Sequence, residues 1–146
     1  MADLKTVEGR CLCGAVKVTA TLKDPTLVAC HCEMCRRSTG SMAISLVTGG
    51  GDTTAEGPIR TLRSSDWAER AFCQICGSRL WYSTVHDGAR YLAAGLFEDT
   101  GHAALSAEYF VDQCPDAYAL QGDHKRLTGQ ETIALFTDDS PAGDMQ

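Results

Sequence analysis

The chain has 146 residues and a formal net charge of −6, from 13 Lys and Arg against 19 Asp and Glu. This acidic balance argues against a nucleic-acid-binding protein, because such a protein needs a basic face to displace counterions. The length predicts one domain, at 1–137, and the Ser-, Pro-, Gly- and Asp-rich segment 138–146 is predicted to be a disordered tail.

No apolar run approaches the ~20 residues that a membrane-spanning helix needs, and no apolar signal-peptide core follows Met1. We therefore expect a cytoplasmic protein without a membrane partner. In a reducing compartment, clustered cysteines are metal ligands more often than disulfides. The eight cysteines are an even number, so a disulfide framework is the alternative, and the missing export signal disfavours it.

Most of the chain consists of short strand-like segments separated by turn-forming residues. Residues 15–22 alternate between apolar and polar side chains, which is typical of a half-buried strand. A single helical turn is predicted over 33–39, before Gly40. Further strands are predicted at 27–29, 41–48, 59–63, 91–97 and 107–111, on both sides of a knuckle at 71–83, and as a short edge at 133–136. The pattern predicts an all-β fold with little helix.

Seven of the eight cysteines fall into three tight groups. They are Cys11 and Cys13; Cys30, Cys32 and Cys35; and Cys73 and Cys76. The last pair is C-x-x-C followed by Gly77, which indicates a zinc knuckle because two intervening residues let both sulfurs face one ion. A knuckle supplies two ligands of a tetrahedral site, and the C-x-C pair is a candidate for the other two.

If two pairs fill one structural site, three clustered thiols remain, and three protein ligands with an open position are typical of a reactive zinc. The alternative is a second structural site closed by His31 or Cys114. His31 stands between Cys30 and Cys32 in an extended segment, so we expect it on the opposite face, either packed or supporting the metal ligands from behind, and not as a ligand itself. Cys114 is isolated beside Pro115, and we expect a small buried hydrophobe.

These motifs resemble one family in their order and spacing. The matching segments are Gly9-Arg10-Cys11-Leu12-Cys13-Gly14, Cys30-His31-Cys32-Glu33-Met34-Cys35-Arg36-Arg37, Phe72-Cys73-Gln74-Ile75-Cys76-Gly77, Ala94-Gly95-Leu96-Phe97-Glu98-Asp99 and Ala107-Glu108-Tyr109-Phe110. Over roughly residues 7–120 the chain resembles the glutathione-dependent formaldehyde-activating enzymes, a family that also includes centromere protein V.

The resemblance implies a zinc-binding β-tent-like fold of two packed antiparallel sheets and two zinc ions per chain. It implies a structural zinc on Cys11, Cys13, Cys73 and Cys76, and a catalytic zinc on Cys30, Cys32 and Cys35. It also implies a carbon–sulfur lyase that joins formaldehyde and glutathione into S-hydroxymethylglutathione, or reverses that reaction. Two departures from the family pattern are Ala117-Tyr118 in place of a tryptophan and Leu96-Phe97 in place of Thr-Leu.

The expected partners are a small thiol, with glutathione as co-substrate, and an aldehyde. Arg36 and Arg37 are predicted to bind the carboxylates of glutathione, and the alternative for both is a solvated basic turn. Trp67, Tyr82 and Phe97 could line a cleft, although aromatic side chains of a β-domain more often belong to its core.

Two other functions are compatible with the cysteine pattern. One is a non-catalytic, zinc-stabilised binding module of the same fold. The other is a redox sensor in which Cys30, Cys32 and Cys35 oxidise reversibly and release metal. The sequence alone does not fix the oligomeric state.

Overall fold

A computed structural model describes residues 4–137, so the predicted tail at 138–146 lies outside the described residues. Within this range the chain forms two compact units, 4–27 with 44–104 and 28–43 with 105–137. No helix among these residues is long and apolar enough to cross a membrane. The boundaries of the single domain at 1–137 stay a prediction.

Strands dominate the described chain, which confirms the predicted all-β class. The strands are β1 (Lys5–Arg10), β2 (Lys17–Leu22), β3 (Thr26–Cys30), β4 (Ala43–Val47), β5 (Thr53–Glu56), β6 (Ile59–Arg63), β7 (Ala68–Cys73), β8 (Arg79–Thr84), β9 (Arg90–Ala93), β10 (Ala104–Tyr109) and β11 (Lys125–Arg126). The α-helices are α1 (Glu33–Thr39) and α2 (Gly129–Thr137), and single 3-10 turns span Ala94–Leu96 and Val111–Gln113.

The first unit contains two antiparallel layers of strands. One layer has the order β1-β2-β5, and the other has the neighbouring strands β4-β9-β8-β7-β6. Along β2, Val18, Ala20 and Leu22 are buried while the residues between them are more exposed, as the predicted alternation requires. These side chains join Leu46 and Leu80 in one hydrophobic core, which confirms the two-sheet prediction.

The second unit is built on β11, β10 and β3, which are hydrogen-bonded in that order. Strands β10 and β11 run parallel, with Glu108 beside Arg126. The short helix α1 follows β3 and ends at Gly40, whose φ of 88° is a left-handed conformation that favours glycine. The predicted helical turn at 33–39 is therefore confirmed at both of its ends.

The predicted edge strand at 133–136 is wrong, because these residues belong to α2. The helix starts at a capping box: the Oγ1 of Thr128 accepts from the N–H of Glu131, and the Glu131 carboxylate accepts from the N–H of Thr128. The strand predicted at 91–97 is shorter than expected, since it ends at Ala93 and a 3-10 turn follows.

Candidate metal centres

The first cysteine cluster joins two turns of the first unit. Cys11 follows the end of β1 and Cys13 lies in the next turn, while Cys73 ends β7 and Cys76 lies in the turn before β8. Gly77 closes that turn with a φ of 78°, the left-handed conformation expected after the knuckle. All four sulfur atoms lie within 4.8 Å of one another.

The spacing of these sulfurs suits one tetrahedral ion. The Sγ of Cys13 is 3.7 Å from that of Cys11 and 3.8 Å from that of Cys73. A tetrahedral zinc with metal–sulfur bonds of about 2.3 Å separates its sulfurs by about 3.8 Å. The cluster could therefore hold a metal ion without rearranging its ligands.

Hydrogen bonds to the sulfur atoms of the first cluster stabilise the thiolate form of its cysteines. The Sγ of Cys11 accepts from the N–H of Val16 at 3.3 Å, and the Sγ of Cys73 accepts from the N–H of Cys76 at 3.4 Å. The hydroxyl of Ser78 lies 3.2 Å from the Sγ of Cys76 and lowers the pKa of that thiol to about 5. Such bonds favour the thiolate, which is the form that binds metal.

The second cluster lies in the second unit, where β3 leads into α1. Cys30 ends β3, Cys32 is the N-cap residue of α1, and Cys35 lies in its first turn. Their three sulfurs also lie within 4.8 Å of one another. Cys35 is buried, whereas Cys30 and Cys32 are half-buried. Among residues 4–137, no fourth His, Cys, Asp or Glu side chain joins this group.

Hydrogen bonds join the three thiols of the second cluster to one another. Hydrogen bonds from Cys30 and Cys35 lower the pKa of Cys32 to about 2, and the N–H of Cys35 donates to the same sulfur at 3.3 Å. The pKa of Cys30 is raised in turn, because its thiol bonds to Cys32 and Cys35. Three adjacent thiolates repel one another unless a cation lies among them, so the donor set fits a metal ion.

His31 is packed, as predicted, and its side chain is fully buried. Its Nε2 lies 2.6 Å from the Oε2 of Glu108 on β10. The Nε2 of His124 lies 2.5 Å from the other oxygen of the same carboxylate. The sequence analysis missed this His–Glu–His arrangement, since Glu108 is 77 positions from His31 and no local motif links them.

The other candidate residues lie in varied surroundings. Cys114 is half-buried rather than fully buried, with its Sγ 3.5 Å from the carbonyl oxygens of Pro115 and Tyr118. The Nε of Arg36 donates to the carbonyl of His31 at 3.0 Å, and the Nε of Arg37 donates to the exposed carboxylate of Glu33 at 3.0 Å.

The three aromatic candidates do not share one environment. Phe97 is buried in the core of the first unit, and Tyr82 is half-buried and packs edge-on against Tyr91. Trp67 is 56% exposed, so it belongs to no core.

A cavity of about 610 Å³ in the first unit lies beside Cys11 and is lined by both basic and acidic side chains, among them Arg10, Arg79 and Glu98.

Two sheets with a four-thiol and a three-thiol cluster define a class of β-rich, cysteine-clustered proteins that could bind metal. The family model described as "Glutathione-dependent formaldehyde-activating enzyme" matches residues 6–113. The chain belongs to this family. It is also 32% identical over 129 residues to a protein named an uncharacterized lyase of Schizosaccharomyces pombe, covering 86% of this chain and 93% of that protein. A crystal structure of a Rhodobacter sphaeroides protein is similar with a TM-score of 0.48 and 22% identity, covering 68% of this chain and 99% of the other.

Proposed function

We propose that the chain is a zinc-dependent carbon–sulfur lyase that acts on the adduct of a small thiol and an aldehyde. Its preferred reaction would be the formation of S-hydroxymethylglutathione from glutathione and formaldehyde. The observation that carries the proposal is the unequal number of sulfurs: four in one cluster, and three in the other without a fourth ligand among residues 4–137. Membership of the family and the name of the yeast relative support the reaction class.

The two clusters would have different roles. Cys11, Cys13, Cys73 and Cys76 would bind a structural zinc, since four thiolates complete a tetrahedron. Cys30, Cys32 and Cys35 would bind a second zinc and leave one position for a guest. When bound there, zinc would act as a Lewis acid and would keep an incoming thiol deprotonated.

The reaction balances without a redox partner. The thiol loses its proton, its sulfur forms a bond to the carbonyl carbon, and the carbonyl oxygen takes up a proton. Arg36 would hold a carboxylate of the tripeptide near the second cluster, because its Nε is fixed on the carbonyl of His31 between two of the cysteines. Arg37 would add positive charge beside it. Small molecules, a thiol and an aldehyde in the cytoplasm, would be the partners.

The test follows adduct formation by NMR exchange spectroscopy in mixtures of glutathione and formaldehyde. The wild-type protein should raise the exchange rate above the uncatalysed background, and Cys32→Ser should remove that increase while keeping the fold. Cys114→Ser is the matched control, since Cys114 belongs to neither cluster and should retain the rate. Loss of the rate in both variants, or exchange at the background rate with wild-type protein, would contradict the proposal.

A second measurement separates an enzyme from a binding module. Cobalt replaces zinc in thiolate sites and reports its ligands in its visible spectrum. Addition of glutathione should change the spectrum of the wild-type cobalt protein, because the thiol would occupy the open position of the second cluster. An unchanged spectrum would favour a non-catalytic module.

A further inference from the structure

Glu108 is a buried carboxylate with three cationic or donor groups around it. Its side chain is 4% exposed, and its two oxygens contact the Nε2 atoms of His31 and His124. The Nε of Arg126 lies 3.4 Å from Oε1. Burying an unpaired carboxylate costs several kcal/mol, and this carboxylate is paired with partners from two separate segments, His31 on one side and His124 with Arg126 on the other.

The partners of Glu108 are themselves fixed by the backbone. Glu108 pairs with Arg126 in the parallel ladder of β10 and β11, and its carbonyl accepts from the N–H of Leu127 at 2.9 Å. His124 lies just before β11, and its side chain is 2% exposed. Burial raises the pKa of Glu108, but hydrogen bonds from His124 and His31 outweigh it and bring the pKa below its ordinary value. The carboxylate is therefore a charged, rigid anchor.

The Glu108 carboxylate contacts His31, the residue between Cys30 and Cys32. Three contacts hold His31 in place. Its N–H donates to the carbonyl of Tyr109 at 3.0 Å, and its carbonyl accepts from Arg36. Its ring contacts Glu108. The Nδ1 of the ring is buried and has no hydrogen-bond partner among the described residues. Leaving a buried nitrogen without a hydrogen bond lowers the stability of the fold. The ring nevertheless keeps this orientation, so we infer that its contact with the Glu108 carboxylate sets the orientation.

We propose that Glu108 is a positioning residue for the second cluster, acting through His31. By fixing His31 it fixes the backbone on both sides, so the sulfurs of Cys30 and Cys32 keep the spacing that a three-ligand metal site with an open position needs. This inference rests on the proposed function, since it assumes a metal at Cys30, Cys32 and Cys35. Outer partners that orient metal ligands typically change affinity by about 10–100-fold when they are removed.

The experiment is a cobalt titration of the full chain, followed by the thiolate-to-cobalt and d–d absorption bands. Glu108→Ala should weaken the second equivalent of cobalt by about 10–100-fold and shift its d–d band, while the first equivalent binds as in the wild type. Glu108→Gln, which keeps a hydrogen-bonding group, should recover part of the affinity. A shifted d–d band confined to the second equivalent would not follow from a general loss of stability.

Thr132→Val is the matched control in the same unit. The Oγ1 of Thr132 accepts from the N–H of Phe110 at 3.2 Å and donates to the carbonyl of Thr128 at 2.8 Å, and Thr132 is 3% exposed. Its replacement removes the acceptor of the Phe110 N–H and should lower Tm, while the carboxylate that contacts the His31 ring is kept. Thr132→Val should therefore bind both equivalents of cobalt with wild-type affinity.

The outcomes separate this inference from the proposed function. If the wild-type chain takes up only one equivalent of cobalt, the proposed function and this inference both fail. If the wild type binds two equivalents and Glu108→Ala binds the second as tightly, the inference alone is overturned. The same holds if Thr132→Val loses as much affinity as Glu108→Ala, because the role of Glu108 would then be stability only.

Discussion

The two cysteine clusters differ in number and in what lies behind them. In the four-thiol cluster, Cys11 and Cys73 are 1% and 0% exposed and are members of the hydrophobic core of the first unit. In the three-thiol cluster, Cys30 and Cys32 flank a histidine that is fixed by a buried carboxylate. One cluster therefore has apolar support and four thiols, the number that a tetrahedral zinc uses, and the other has polar support and three.

This difference has a physical consequence for what each cluster can do. A site closed by four thiolates on a packed core has no position for a guest, so its metal can contribute only to folding. A site with three thiolates leaves one coordination position open, and a network of hydrogen bonds can hold its ligands in place without occupying that position. The comparison predicts that damage to the two clusters has different results.

The largest expected effect is the loss of the fold in Cys73→Ser. Structural zinc contributes about 10 kcal/mol or more in small domains, which is comparable to the whole stability of about 5–15 kcal/mol. Cys73→Ser should therefore be unfolded at 25 °C by far-UV circular dichroism and should contain no stoichiometric zinc. Cys32→Ser should remain folded and contain one zinc per chain. If both variants unfold, the two clusters do not have separate roles.

Sequence reasoning predicted the elements around the cysteines best, because residues close in the chain carry strong local signals. The turn at 33–39 and its end at Gly40 follow from a short polar run before a residue that tolerates positive φ. Cys11 and Cys73 lie 62 positions apart in the sequence, so their spacing made the two pairs only candidates for one site, and the family resemblance supplied the pairing.

The errors have physical causes that can be named. The apolar run at 133–136 predicts an edge strand wrongly, because periodicity over four residues cannot distinguish a strand from a helix. The capping box formed by Thr128 and Glu131 was present in the sequence and would have indicated the helix. The contact of Glu108 with His31 had no such signal, since it depends on how β10 lies beside β3.

The second prediction concerns the order in which metal leaves the two clusters. A chelator should remove one equivalent first, from the three-thiol cluster, because that site would have fewer ligands and an open position. Activity should disappear in this phase while the far-UV circular dichroism is unchanged. The second equivalent should leave only as the chain unfolds, and a colorimetric zinc indicator measures both phases.

Cys32→Ser is the control for this order of release. It should hold one equivalent of zinc and release it only as the chain unfolds. Release of both equivalents in one phase together with unfolding would show that the two clusters depend on each other, and it would contradict the division proposed here.

The third prediction concerns the polar support of the second cluster at acid pH. The pKa of folded Glu108 lies below the ordinary 4.5, because hydrogen bonds from His124 and His31 outweigh the effect of burial. Between the two pKa values the unfolded chain binds the extra proton, so this stabilisation is complete above pH 4.5 and is lost as the pH falls through the folded value. Urea unfolding from pH 7 to pH 3 should show a smaller acid-dependent loss in Glu108→Gln than in the wild type.

Asp99→Asn is the control for that measurement. The hydrogen bond and charge of Lys5 lower the pKa of Asp99, but this ion pair is half exposed to solvent, which screens it. Its removal should change the acid dependence less than the removal of the Glu108 carboxylate does. Equal slopes in the wild type and Glu108→Gln would mean that the carboxylate does not stabilise the fold through its charge.

The smallest expected effect separates two neighbouring arginines on α1. Arg36 is fixed to the carbonyl of His31, whereas Arg37 pairs with Glu33 on the exposed face of the helix. Arg36→Lys should raise KM for glutathione several-fold with little change in kcat, because lysine lacks the planar fork that binds a carboxylate at two points. Arg37→Lys should change KM by less than about twofold, since an exposed ion pair of this kind contributes little. Equal and small effects in both variants would leave α1 as a solvated basic turn, and the specificity for a tripeptide would then have to come from groups other than these two guanidinium ions.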